Sequence, residues 1–159
     1  MSKTIVVYYS IQGHTKKIAE RIAKLKGADL FSIEAKQPYA EADLNYMDEG
    51  ARATREFNNP ELRDIELIST EVPGWGDYDT VILCYPIWWA IAAWGTNAFV
   101  KAVDWNDKKV FPIAISHSSP AGESGYLLED DANGGDWTEA QRLYQDATDE
   151  EIQAVAEKL

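Results

Sequence analysis

Short apolar runs alternate with stretches of helical periodicity along the chain. Thr4-Ile5-Val6-Val7-Tyr8-Tyr9 is a run of β-branched and aromatic residues, the pattern of a strand buried on both faces. It breaks at Ser10-Ile11-Gln12-Gly13-His14. From Thr15 the pattern changes, and Ile18, Ala19, Ile22, Ala23 and Leu25 recur at helical spacing. Gly27 is placed to end that helix, and residues 28–33 (ADLFSI) read as a second strand. The opening is therefore a βαβ unit.

Residues 34–70 are polar and less regular. A helix is expected over 42–56, stopped by Asn58-Asn59-Pro60, in a segment that packs over one face of the sheet. Residues 80–85 (TVILCY) form a third buried strand that Pro86 ends, and residues 92–103 a helix. Residues 109–116 (KVFPIAIS) form a fourth strand. Pro112 cannot donate to a ladder, so a bulge is expected there, or a strand that effectively starts at Ile113. Residues 118–135, rich in Ser, Gly, Pro and Asp, read as largely loop, and 138–144 as a weak fifth strand. Thr148-Asp149-Glu150-Glu151 has the spacing of a capping box before a last helix marked by Ile152, Val155, Ala156 and Leu159. Strands alternating with helices over 159 residues indicate one α/β domain, 1–159, with a parallel sheet covered on both sides.

Composition narrows the function. Lys plus Arg number 15 against 27 Asp plus Glu, a net charge of -12. That sign opposes binding to nucleic acid phosphates and to an anionic membrane face. It suits solubility or docking to basic partners. Cys84 is the only cysteine, so an internal disulfide is excluded, and its apolar strand makes it a core residue. The first apolar run is too short for a signal segment, and no stretch approaches the ~20 apolar residues of a membrane span. A soluble cytoplasmic protein is expected. Nothing in the chain signals its oligomeric state.

Three loops follow strands directly, and parallel strands bring all three to one edge of the sheet, where ligands of such sheets bind. Ser10-Ile11-Gln12-Gly13-His14-Thr15 runs into a helix N-terminus, whose unpaired N–H groups favour an anion. Ser10 and Thr15 offer hydroxyl donors, and Gly13 lets the backbone curl close. The lysine of a nucleoside-triphosphate loop and the spaced glycines of a dinucleotide fingerprint are missing, so a single terminal phosphate fits best; the plain alternative is a strand-to-helix turn capped by Thr15. The second loop, Pro86-Ile87-Trp88-Trp89-Ala90-Ile91-Ala92-Ala93-Trp94, places two adjacent indoles where both cannot face the core. At least one of Trp88 and Trp89 should meet a ligand or partner, whereas Trp94 reads as packing. The third loop offers Ser116, His117, Ser118, Ser119 and Gly122 to the polar edge of a ligand. His14 and His117 lack metal-ligand spacing, and no Gly-x-Ser-x-Gly elbow is present.

The first loop and its helix resemble the phosphate loop of flavodoxins. Asp77-Tyr78-Asp79 with Tyr85-Pro86-Ile87-Trp88-Trp89 resembles the second flavin loop of the bacterial branch that carries a Tyr-Pro-Ile-Trp-Trp run. The resemblance spans nearly the whole chain. It implies a flavodoxin-like three-layer α/β/α sandwich with a five-stranded parallel sheet of order 2-1-3-4-5. It also implies noncovalent FMN, held by the three loops, and an electron-carrier role toward redox protein partners such as a basic reductase or acceptor. An FMN-dependent oxidoreductase that reduces a quinone with NAD(P)H, and a flavodoxin-fold module without cofactor, are the alternatives. The chain departs from the pattern at His14, where Asn is usual, at Ala90 for Gly, at Gly95 for Pro, and at Ser118-Ser119-Pro120, which replaces a glycine-rich run.

Overall fold

The computed structural model describes residues 3–159. Strand β1 (Thr4–Tyr9) leads to helix α1 (His14–Lys26) and strand β2 (Asp29–Ile33). Gly27 closes α1 in the left-handed region at φ 61°, and the Ala28 amide donates back to the Ala23 carbonyl, the expected glycine C-cap. A long connection carries the short helix α2 (Arg52–Asn58), 3-10 turns at Glu41–Leu44, Pro60–Leu62 and Trp75–Asp77, and an isolated antiparallel bridge between Ala35 and Leu67. Then come β3 (Thr80–Trp88), β4 (Ile91–Ala92), α3 (Trp94–Ala102), β5 (Lys109–Ser116), α4 (Ser124–Asp131), β6 (Asp136–Trp137), β7 (Gln141–Tyr144) and α5 (Asp149–Ala156).

The parallel order is β2-β1-β3-β5, with β6 and β7 both pairing β5 at the far edge. The expected order 2-1-3-4-5 is therefore present, its fifth position split in two; with β4 the sheet counts seven strands. Pro112 accounts for the split. The carbonyls of Lys108, Val110 and Ser116 accept from Asp136, Thr138 and Gln145, so even positions of β5 turn their polar groups to the fifth strand. Pro112 is one of them and has no N–H to offer. The ladder lapses opposite it, between Trp137 and Gln141. The expected bulge does not form: β5 is continuous, with Pro112 in register with Leu83 of β3.

Side-chain alternation along β1 builds the two outer layers. Val6 and Tyr8 pack with Ile18, Ile22, Ile152 and Val155 of α1 and α5. Ile5, Val7 and Tyr9 pack with Phe99, Val100 and Leu128 of α3 and α4. A third apolar cluster joins Ala35, Tyr39, Ala53 and Ile65 of the long connection to Trp94. At α5 the capping box forms as its sequence predicts: Thr148 Oγ1 accepts from the Glu151 amide at 3.2 Å, and Glu151 Oε1 accepts from the Thr148 amide at 3.1 Å.

Three sequence expectations are corrected. The helix placed over 42–56 is a 3-10 turn and, after a gap, α2; Asn45 and Gly50 form side-chain and turn bonds in between instead. Residues 124–131 are the helix α4 rather than loop. Pro86 does not end β3, which runs on to Trp88 and turns into β4.

Candidate functional site

The loop Ser10–Gly13 leaves β1 and enters α1 with Gly13 at φ 94°, a conformation only glycine adopts without strain. The Ser10 hydroxyl oxygen accepts from the Gly13 amide at 3.2 Å, which leaves its O–H free to donate outward. No side chain caps α1; Thr15 lies inside the helix and is buried, so the capping alternative for it does not apply. The first turn carries no acidic residue and has His14, Lys16 and Lys17 instead. The first turns of α2, α3 and α4 are acid-free as well; what sets α1 apart is that its free end follows the Ser10–Gly13 loop and carries His14, Lys16 and Lys17. The free N–H groups and the dipole are left for an anion.

The second loop is a hairpin. Ile87 pairs Ala92 and Trp88 pairs Ile91 in antiparallel register, leaving Trp89 and Ala90 as a two-residue turn at φ 47° and 68°. Positive φ at both central residues is the requirement of a type I′ turn. The strained turn sets the two adjacent indoles to different tasks. Trp89 stacks on Phe57 at 4.6 Å and 6° and lies 5.9 Å from the Trp94 ring. Trp88 meets Trp94 edge-on at 4.8 Å and Tyr39 at 5.1 Å. Trp94 is buried at 2% exposure, as the sequence indicates.

Two clefts meet at this hairpin. A narrow one of about 40 Å³ is lined by Ser10, Ile11, Gln12, His14, Thr15, Pro86, Trp88 and Ile115, with Leu44 and Gln145. An apolar slot of about 270 Å³ is lined by Leu44, Tyr46, Ala53, Ile87, Trp88 and Trp89. Leu44 and Trp88 belong to both, so the slot and the cleft at the Ser10–Thr15 loop adjoin end to end. An elongated ligand with a flat apolar end and an anionic end suits that arrangement.

The third loop is placed differently. Ser116 is buried and its hydroxyl donates to the Ser119 carbonyl. That bond ties the start of the loop to Ser119 and commits the Ser116 hydroxyl hydrogen to the backbone. His117 and Ser118 are exposed. Gly122, at φ 55°, lies against the Ala90 carbonyl of the hairpin. None of Ser116, His117, Ser118, Ser119 and Gly122 lines either cleft. The loop instead braces the hairpin, through Gly122 and through the buried Tyr85–Ser124 hydroxyl pair at 2.8 Å.

The flavodoxin family model matches residues 3–159. The chain belongs to the flavodoxin family. Two provisionally named flavoproteins of known structure resemble this flavodoxin over its full length. One, from Bacteroides eggerthii, is 32% identical over 99% of this chain and 98% of its own, with a TM-score of 0.87. The other, from Bacteroides uniformis, is 28% identical over 98% of each chain, with a TM-score of 0.89. A Lactobacillus acidophilus flavoprotein in complex with FMN shares the fold at 20% identity, covering 89% of this chain and 93% of its own, with a TM-score of 0.63. No curated protein matches the chain.

Sequence reasoning missed Leu44, Tyr46, Ala53, Gln145 and, at the end of β5, Ile115 in this flavodoxin. The first three sit in the irregular connection, where no periodicity marks a face; Gln145 follows the interrupted fifth strand. Among the described residues no group of three or more His, Cys, Asp or Glu is placed to hold a metal, and no helix is long and apolar enough to cross a membrane. Cys84 is fully buried, and burial pushes its thiol up to about 12, which keeps it protonated and inert.

Proposed function

We propose that this flavodoxin binds one FMN noncovalently and carries electrons between protein partners. The observation that carries the reading is the end-to-end join of the uncapped, acid-free α1 terminus and the apolar slot at Trp88. Ser10, Thr15 and the amides of the first turn of α1 hold the phosphate. Trp88 and Leu44 flank the passage, and Tyr46, Ala53, Ile87 and Trp89 receive the ring. FMN supplies the redox chemistry when bound; the chain supplies binding, orientation and electrostatics.

The slot lining favours a carrier over a turnover enzyme. Of its six residues only Tyr46 can titrate, and it is 71% exposed. Among the described residues, none of the six that line the slot is a carboxylate, histidine or lysine able to relay a proton to a bound substrate. The net charge of -12 suits steering toward a basic reductase or acceptor. The test is a titration of flavin-free protein with FMN, read by visible absorbance, followed by assay of NAD(P)H oxidation with a quinone. A yellow complex that is reduced only through a separate reductase is expected. Turnover by the purified protein alone transfers the reading to an oxidoreductase, and refusal of FMN to a module without cofactor.

A further inference from the structure

The connection between β2 and β3 contains a buried carboxylate that the anion loop and the slot lining do not use. Glu56 is 7% exposed. Its Oε1 accepts from the Tyr39 hydroxyl and from Trp94 Nε1, the latter at 3.0 Å, and its Oε2 from Arg52 Nε at 3.3 Å. The Arg52 guanidinium lies 3.8 Å over the Tyr39 ring. Burial, the bond to Glu56 and the charge of Glu56 all hold the Tyr39 phenol protonated, well above its usual range.

The partners of this carboxylate lie behind the slot lining, in the two segments that supply it. Tyr39, Arg52 and Glu56 belong to the connection that supplies Leu44, Tyr46 and Ala53. Trp94 opens α3 directly after the hairpin that supplies Ile87, Trp88 and Trp89, and it contacts both of those indoles. Packing alone does not call for a carboxylate here. Desolvating one costs several kcal/mol, and an apolar residue of the same shape often stabilises more. What a fully bonded carboxylate adds is direction: it fixes which donors meet, and so the register of the two segments.

We propose that Glu56 is a positioning residue whose carboxylate pins the 39–57 connection to the tryptophan hairpin and so sets the width of the slot that receives the flavin ring. The inference rests on the FMN reading above for the identity of the ring, but the pinning itself does not.

The test uses Glu56→Gln and Tyr39→Phe in the whole protein. Glutamine keeps the shape and turns an N–H₂ toward Arg52 or toward the Tyr39 and Trp94 donors. Phenylalanine keeps the ring beside Trp88 and removes only the hydroxyl, and it decides the matter if the first variant does not fold. Two readouts are taken: affinity for FMN and for riboflavin, and amide hydrogen exchange in flavin-free protein. Glu56→Gln should weaken both flavins by the same factor, about tenfold. It should speed exchange in residues 41–58 while leaving β1 and β3 at parent rates. Tyr39→Phe should show the same pattern at smaller amplitude. A folded variant with parent affinity for both flavins and parent exchange over 41–58 overturns the proposal, as does a loss confined to FMN, which locates the defect at the phosphate. If the parent binds neither flavin, the FMN reading fails and the exchange data alone judge the pinning.

Discussion

Ala90 tests the hairpin that carries Trp88. It stands at φ 68° in the two-residue turn between β3 and β4, where an L-residue pays roughly 1–2 kcal/mol for the left-handed conformation. The residue is exposed, so replacing it by glycine removes little buried surface. Ala90→Gly relieves the strain but gives the unfolded chain more freedom, at a cost of ~0.4–1 kcal/mol. The net expectation is a gain of about 0.5–1 kcal/mol. For a chain of this size that raises the melting temperature by ~1–4 °C. Trp89→Gly is the control. Its backbone, at φ 47°, is relieved in the same way, but the ring stacked on Phe57 and beside Trp94 is lost. That variant should melt lower than the parent. Thermal unfolding followed by circular dichroism measures both. A lower melting temperature for Ala90→Gly refutes the reasoning, because it means the turn is not held against the preference of its own residue.

Other consequences can be measured separately. Gly95→Ala should destabilise by ~1–3 kcal/mol, because an added Cβ falls 2.5 Å from Tyr9 Cζ; parent-like denaturant unfolding of that variant contradicts the tight approach of α3 to β1. Tyr78 donates to Asp29 at 2.7 Å, and that bond, with burial and the charges of Asp29 and Asp77, raises its phenol from 10.0 to about 12. A pKa raised by folding gives stability that is fully present below about pH 10 and lost as pH climbs through about 12. The stability gap between parent and Tyr78→Phe should therefore close over that window, and a constant gap argues against the bond. Electron transfer to a basic redox partner should slow as salt rises. Converting the exposed Glu123, Glu129 and Asp130 to amides should flatten that response, Asp131 being left alone because it accepts from Asn97 at 2.8 Å; equal salt profiles reduce the acidic surface to a solubility feature.

The fold was legible because parallel strands announce themselves. β1, β3 and β5 are nearly pure apolar runs, since both faces are covered, whereas their order came only from the resemblance to flavodoxins. The position of the Ser10–Gly13 loop was legible for the same reason, as it lies between a sharp strand end and a sharp helix start. The second loop was half legible. The paired tryptophans marked the loop, but their packing on different aromatic partners depends on a turn at positive φ that Trp89-Ala90 does not advertise. The wall formed by Leu44, Tyr46 and Ala53 was illegible. Those residues are scattered through a polar stretch held by the distant Trp94–Glu56 bond and by the local Arg63–Glu56 bond rather than by any period of its own. Helix α4 escaped notice because it begins Ser-Gly and shows one fully buried large side chain, Leu128.

The central claim is that one FMN sits with its phosphate on the Ser10–Thr15 loop. Calorimetric titration of FMN, riboflavin and FAD into the parent and Thr15→Ala tests it most directly. The account predicts one FMN per chain, bound more tightly than riboflavin, with FAD a poor competitor. Thr15→Ala should remove a hydrogen bond to a charged group, worth ~1.5–3 kcal/mol, and weaken FMN roughly ten- to a hundredfold while leaving riboflavin unchanged. FMN and riboflavin binding equally to the parent, or weakening equally in the variant, contradicts it.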